Sequence, residues 1–221
     1  GTIALNGSNL LLAMNRSANR AMTFSGQITG SSTISTSSSN NSSAPGIIIT
    51  GANASSFTGN VIVTGGLLGF TTDALGQNST GGTITFNNTS LTTANAPGLV
   101  WQGTNTQDLS GRFQALTGTT NAVLDLNGND VTFATANGLA GASTTGFTKR
   151  NVSAGVLTLA AANSLSGTYT ASTTGGTTLL TNANALQNAT VTILTGTTTG
   201  GITLDSTGGG AFTFGNLTGA G

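Results

Sequence analysis

The chain is 221 residues long, and only 5% of them are charged, against about a quarter in an ordinary globular domain. Its five basic and five acidic residues cancel. Nucleic acid is therefore excluded as a partner, because its binding depends on several Lys and Arg contacts to phosphates. His and Cys are both absent, which removes the commonest general base, the commonest transition-metal ligands and any disulfide framework.

Apolar runs are short. The run LLLAM at Leu10–Met14 is far below the roughly 20 residues that a membrane-spanning helix needs. We therefore expect no membrane span in this segment. The first residues also lack a charged region followed by an apolar one, so we expect any secretion signal to lie outside the segment.

Short stretches in which apolar residues alternate with small polar ones recur throughout the chain. Each stretch ends in Gly, Asn, Asp or Ser, which favour tight turns. Good helix formers are scarce, since Glu is absent and Lys occurs once. The stretches are 46–50, 60–65, 82–87, 122–128, 130–135, 155–160, 190–196, 201–206 and 210–216. This pattern predicts an all-β chain, built as a sandwich, a barrel or a β-solenoid.

Internal repetition favours the solenoid. The stretch GIIITGANASSFTGNVIVTGG from Gly46 is echoed by GVLTLAAANSLSGTYTASTTGG from Gly155, and a second echo begins with Thr-Phe at Thr23, Thr132 and Thr213. Self-similarity of this kind marks stacked units. We predict one continuous β-solenoid over 1–221, with copies at about 23–90 and 132–193 and a third beginning near 213. The third copy is cut off, so we expect the chain or its assembly to continue.

The second copy resembles the passenger-associated repeats of bacterial autotransporters, and the first copy resembles them more weakly. The matching residues are Phe147-Thr148-Lys149, 154–159, Ala162-Asn163 and Gly167, and in the first copy 47–50, Asn53 and Gly59. Arg150-Asn151 departs from the family's small residues after the Lys. The resemblance implies a right-handed parallel β-helix on the outside of a Gram-negative-type cell; an array of β-sandwiches is the alternative fold.

A solenoid of this composition would be a thin neutral rod. Strands of successive turns pair at about 4.8 Å, so about ten turns of roughly 20–25 residues would span on the order of 45–50 Å. Inward Val, Ile, Leu and Phe would stack on one another, and outward Thr and Asn would align in rows. Each end exposes a strand edge that can pair with another chain. We therefore expect self-association, end to end or side by side.

Acidic residues are too few for an evident catalytic cluster; they are Asp73, Asp108, Asp125, Asp130 and Asp205. Asp125 and Asp130 share the segment LDLNGND and would be the candidate pair for a glycoside hydrolase. The same segment offers oxygen ligands loosely like those of a calcium loop. A turn at Asn127-Gly128 explains the segment more simply. We predict no catalytic, cofactor-binding or metal-binding residues.

Basic and aromatic residues offer two further hypotheses. Arg16 with Arg20, and Lys149 with Arg150, could form a patch for acidic glycans, although isolated charges usually serve solvation. Trp101 and Tyr169 could be exposed platforms for sugars, although a lone Trp more often fills a core. Lys149 is the single lysine, and nothing in the sequence places a carboxylate beside it for a crosslink.

The sequence predicts a non-enzymatic structural protein of the bacterial cell surface, either the stalk of an adhesin or a subunit of a self-assembling extracellular fibre. Two alternatives stay open. One is a carbohydrate-active enzyme on a β-helix, which would need acids or aromatics gathered in one groove. The other is an adhesin module that binds surface glycans or host proteins.

Overall fold

Parallel strands stacked in successive turns form almost all of the regular structure. The computed structural model describes residues 1–15, 20–38, 44–52, 56–88, 96–150, 154–171, 176–194, 201–205, 207 and 210–219. Every pairing between strands in these ranges is parallel. The predicted β-solenoid is confirmed, and the sandwich array, which would need antiparallel pairs, is wrong.

The strands are short, as the frequent turn residues require. In chain order they are β1 (Thr2–Ala4), β2 (Leu10–Met14), β3 (Met22–Phe24), β4 (Gln27–Thr29), β5 (Ile34–Ser38), β6 (Ile47–Ile49), β7 (Val61–Gly65), β8 (Leu67–Phe70), β9 (Ile84–Phe86), β10 (Gly98–Trp101), β11 (Asn121–Asp125), β12 (Val131–Phe133), β13 (Ala140–Gly141), β14 (Gly146–Arg150), β15 (Leu157–Leu159), β16 (Ser164–Leu165), β17 (Thr168–Ala171), β18 (Thr177–Leu180), β19 (Thr190–Ile193), β20 (Gly201–Leu204) and β21 (Asn216–Gly219). A 3₁₀ helix occupies Ser110–Arg112.

One sheet runs the length of the described solenoid. It has nine strands in the order β21-β19-β17-β14-β11-β10-β8-β6-β3, and each successive strand belongs to the next turn. The other faces hold four-stranded sheets, β2-β5-β7-β9 and β12-β15-β18-β20, and two-stranded sheets, β1-β4 and β13-β16. Cross-turn hydrogen bonds typically join residues 22 to 28 positions apart, close to the predicted turn length.

The core is formed by rows of like residues that stack from turn to turn. In the nine-stranded sheet, Ile47 pairs with Leu68, Leu68 with Leu99 and Leu99 with Leu124, and all four are buried. Aromatic rings fill the centre edge to face, with centroids 5.0 Å apart for Phe70–Trp101, 5.4 Å for Phe86–Phe113 and 5.6 Å for Phe113–Phe133. Burial of each such side chain stabilises the fold by about 1.5–3 kcal/mol.

The long sequence echo does not join equivalent faces. β6, in the first copy, belongs to the nine-stranded sheet, whereas its counterpart β15 belongs to a four-stranded sheet. β7 and β17, the next pair in the echo, are exchanged in the same way. The unit that repeats in space is therefore a single turn, and the extents of the two longer copies stay a prediction.

Candidate functional site

The segment that carries the two candidate acids is a turn between β11 and β12. Asn127 and Gly128 have φ angles of 50° and 88°, the left-handed conformation that Asn and Gly tolerate in tight turns. Asp125 Oδ1 accepts a 3.0 Å bond from Asn127 N. Asp130 Oδ1 accepts a 2.8 Å bond from Val156 N, one turn further along. Both carboxylates thus hold backbone in place, as the simpler interpretation of this segment predicts.

Asp125 is also half of an ion pair. It is only 1% exposed, and its Oδ2 lies 3.2 Å from Nε of Arg150 on the neighbouring strand. Burial raises the pKa of the Asp125 carboxyl, while the positive charge of Arg150 opposes that rise. A carboxylate that is paired with a guanidinium is a poor calcium ligand, because the calcium ion would have to displace the guanidinium. Asn129 also donates its amide nitrogen to the carbonyls of Trp101 and Leu126.

Lys149 and Arg150 do not form a joint basic patch. They are neighbours on β14, so their side chains point to opposite faces of the sheet. Lys149 is 1% exposed, and its ammonium donates a 3.0 Å hydrogen bond to the carbonyl of Gly155. The hypothesis of a glycan-binding pair here is wrong. In the other proposed pair, Arg20 is exposed, and Arg16 lies outside the described residues.

The ammonium of Lys149 is buried, which disfavours its charged form. Burial lowers its pKa to about 8, against the opposing effect of the negative charges of Asp125 and Asp130. Nothing in the sequence placed a carboxylate beside Lys149; in the folded chain the charges of Asp125 and Asp130 act on its ammonium. The two acids lie on the preceding turn, 19 to 24 residues away in sequence, which is why a linear reading misses them.

The two candidate sugar platforms are core residues. Trp101 is 0% exposed and donates its indole N–H to the carbonyl of Gln107 over 2.9 Å. Tyr169 is 0% exposed, and its hydroxyl lies 2.7 Å from that of Thr178. Burial raises the pKa of the Tyr169 phenol. Neither ring can stack on a ligand, so the platform hypothesis is wrong for both.

Arg112 is a buried charge that no pattern in the sequence indicated. It is 3% exposed, and its guanidinium donates to four backbone carbonyls on other turns, those of Gly59, Leu75, Gly76 and Gly82. Burial lowers its pKa to about 10. Among the described residues it has no acidic partner. The glycines of the segments that face Arg112 are the one trace of this contact in the sequence, because a side chain there would collide with the guanidinium. A Cβ on Gly81 would lie 2.4 Å from the Arg112 guanidinium carbon.

Buried amides repeat the same kind of contact between turns. The Asn163 side-chain oxygen accepts from Leu139 N, and its nitrogen donates to the carbonyls of Ala161 and Ala185. Asn105 donates to the carbonyl of Phe70 in a similar way. Each amide satisfies polar backbone groups that the corners of the solenoid leave unpaired.

No convergent site emerges from these residues. Within the described part of the chain, no group of three or more His, Cys, Asp or Glu side chains could hold a metal ion, and no helix is long and apolar enough to cross a membrane. Asp73 and Asp108 bind neighbouring loops: Asp73 through Gln107, and Asp108 through Ser110 N and Ala134 N.

Comparisons with protein-family models, with curated proteins and with solved structures found no match.

Proposed function

We propose that this chain is a structural rod of an extracellular, bacterial-surface protein, either the stalk of an adhesin or a subunit of a self-assembling fibre. The observation that carries the proposal is the use of its buried charges. Arg112, Lys149 and the Asp125–Arg150 pair all bind groups on other turns or at the corners of the solenoid. Side chains that a catalytic or binding site would direct outward serve here to fasten one turn to the next.

The composition fits this role. A chain with few charges loses little stability when long solenoids lie side by side, because it has few charged groups to desolvate. Parallel strands that are hydrogen-bonded on both sides open only when several turns separate together. A stiff rod of this kind suits a protein that must hold something away from a cell.

Self-association is part of the proposal. Leu217 continues the buried row that contains Val191, yet it is 59% exposed. Leu204 continues the row of Leu180 and is 45% exposed. Together with Ile193, Ile202 and Phe214, they line an apolar hollow of about 130 Å³. At the opposite end, Ile3, Met22 and Phe24 are only partly buried. Apolar strand edges of this kind pair with further parallel strands, whether of a second chain or of the same one.

Electron microscopy of the purified chain over a range of concentrations tests both the rod shape and the self-association. Nine sheet strands at about 4.8 Å predict a unit roughly 40 Å long. We expect such rods at low concentration and end-to-end filaments of the same width at high concentration. The variant Leu217→Lys should disperse the filaments, and Thr158→Lys, on the side of the rod, should not. Particles that are not elongated would contradict the proposal of a structural rod. Rods that never join would contradict the role of a fibre subunit but would still be consistent with the stalk of an adhesin.

The enzymatic alternative is not the one we propose, because Asp125 and Asp130 are both occupied by scaffold contacts. The wild-type chain should release no reducing sugar from neutral or acidic polysaccharides. Hydrolysis or lyase activity that Asp130→Asn abolishes would overturn the structural proposal.

A further inference from the structure

The outer surface of the nine-stranded sheet carries threonine in two rows at right angles to the strands. In the first row, Thr148 pairs with Thr170, Thr170 with Thr192 and Thr192 with Thr218. In the second, Thr168 pairs with Thr190. Tyr169 and Val191, which stand between the rows on their strands, are buried, so the threonines face outward. We call these six residues the threonine face: Thr148, Thr168, Thr170, Thr190, Thr192 and Thr218.

The face is a regular two-dimensional lattice. Neighbouring parallel strands lie about 4.8 Å apart, and outward residues two positions apart on one strand lie about 6.6 Å apart. The pairings of β14, β17, β19 and β21 run without a register shift, so the lattice is not interrupted. Threonine is β-branched, and its side chain is stiff about χ1. Each lattice point therefore presents a hydroxyl and a methyl group in a restricted orientation.

Hydrogen bonds within and between the rows orient part of the lattice. The hydroxyls of Thr192 and Thr218 are 2.8 Å apart, and Thr148 donates to the amide oxygen of Asn121 over 3.2 Å. Asn121 belongs to the second row, because it pairs with Gly146, and Gly146 pairs with Thr168. The second row thus runs from β11 to β19 and has a gap at Gly146, which carries no side chain.

That gap opens a shallow trough on the face. It is an open hollow of about 260 Å³, lined by Asn121, Thr144, Thr145, Gly146, Thr168 and Thr170. Its lining offers hydroxyl and amide groups but no charge, so water in it would be placed by the lattice rather than by an ion.

The face also lacks the groups that recognise other ligands. Its one flanking charge among the described residues, Arg150, is paired with Asp125, so a polyanion would find no free cation there. Tyr169, the aromatic residue between Thr168 and Thr170, is buried, so its ring offers a sugar polymer no surface on which to stack.

We propose that the threonine face binds ice. Ice presents water oxygens in regular rows, and the threonine lattice, at about 4.8 Å by 6.6 Å, presents hydroxyls in regular rows as well. Hydroxyls can occupy positions in such rows, and the methyl groups between them favour cage-like ordered water because they cannot bond to it. A rigid lattice makes this contact without the entropy loss that flexible polar chains would suffer. This binding role goes beyond a structural rod and does not depend on whether the rods self-associate.

The test is partition of the wild-type chain into a slowly growing ice crystal. Ordinary solutes are rejected into the liquid; we expect this chain to be enriched in the ice. Thr170→Lys with Thr192→Lys places two long charged chains in the middle of the first row and should abolish the enrichment. Thr158→Lys is the matched control. Thr158 faces outward on β15, in a row with Thr132 and Leu179 of a different sheet, and this variant should enter ice like the wild type.

Circular dichroism checks that each variant is folded, and Thr190→Lys in the second row replaces the double variant if that one unfolds. Exclusion of the folded wild type from ice would overturn the proposal, as would equal enrichment of the row variants. Retention of the wild type on insoluble cellulose or chitin, lost in the row variants and without any enrichment in ice, would also overturn it in favour of a polysaccharide.

Discussion

Arg150 and Asp125 are directly paired neighbours on adjacent strands of the nine-stranded sheet, with Arg150 Nε 3.2 Å from Asp125 Oδ2. Asp125 is 1% exposed and Arg150 23%, so little water reaches the acid, and it depends on Arg150 as its ion-pair partner. The pair joins two turns 25 residues apart, and its loss should be felt as a loss of stability rather than of a binding activity.

Arg150→Ala tests that relationship. It leaves the Asp125 charge buried without its partner, and we expect the free energy of unfolding at pH 7 to fall by about 2 kcal/mol, between the values for exposed and buried pairs. Burial already raises the pKa of Asp125, so the folded state binds that proton more tightly than the unfolded state does. The variant should therefore lose stability more steeply than the wild type as pH rises above 4. Urea unfolding measures both effects, with the exposed Arg20→Ala as control. Equal stability of Arg150→Ala and the wild type would contradict the pair's importance.

The alternation of residue types was sufficient to predict strands, while the choice of a parallel solenoid depended on internal repetition and on the family resemblance. The Asn127-Gly128 turn followed from the preference of both residues for positive φ. It was not sufficient to assign every side chain to a face. In the run Ile47–Ile49 all three residues are apolar, yet the outer two are buried and Ile48 is only partly buried. A run of apolar residues without alternation does not indicate which side chains point inward. Packing against the neighbouring turns decides which of them are buried.

The candidate site was least predictable where a charged residue lies in a row of otherwise apolar, inward-facing residues. Lys149 pairs with Leu124 in an inward row, a position where pattern alone predicts an apolar residue. The next residue in that row, Ala171, is small and leaves room for the long side chain. Arg112 depends likewise on carbonyls 30 to 53 residues away. Contacts over such separations depend on the number of residues in each turn, which the sequence does not reveal to better than a few residues.

The pH dependence of stability should carry the signature of Lys149. Its pKa is lowered to about 8 in the folded chain, so between pH 8 and pH 10 the unfolded state holds a proton that the folded state has released. Stability should therefore rise with pH across this window, by up to about 1.4 kcal/mol for each pH unit. Lys149→Met should remove the slope. Urea unfolding at pH 7, 8, 9 and 9.5 checks this, and the range stops below the pKa of about 10 for Arg112. Parallel curves for variant and wild type would contradict the assignment.

Arg112 should be the most sensitive charged residue in the chain. Arg112→Met removes the donors to four backbone carbonyls, of which those of Gly59, Leu75 and Gly76 belong to buried residues. We expect a loss of about 3–5 kcal/mol, enough to unfold a marginal domain. Arg112→Lys keeps the charge but not the planar array of donors, so it should recover only part of this loss. Chemical unfolding compares the two, with Arg20→Met as the exposed control. A loss below about 1 kcal/mol for Arg112→Met would show that the carbonyls find other partners.

Gly155 should tolerate no side chain. A Cβ there would lie 2.6 Å from the carbonyl oxygen of Asn129, and the carbonyl of Gly155 itself accepts the Lys149 hydrogen bond. Gly155→Ala must therefore push two turns apart and weaken that bond, and we expect it to lower the free energy of unfolding by about 1–3 kcal/mol. Gly210→Ala is the control, because its Cβ would meet only the Ala183 side chain, at 3.2 Å. Since Gly155→Ala also disturbs the acceptor of Lys149, it should change the pH slope between pH 8 and pH 9.5, whereas Gly210→Ala should not. A lower stability with an unchanged slope would mean that the turns separate without moving the carbonyl from the ammonium.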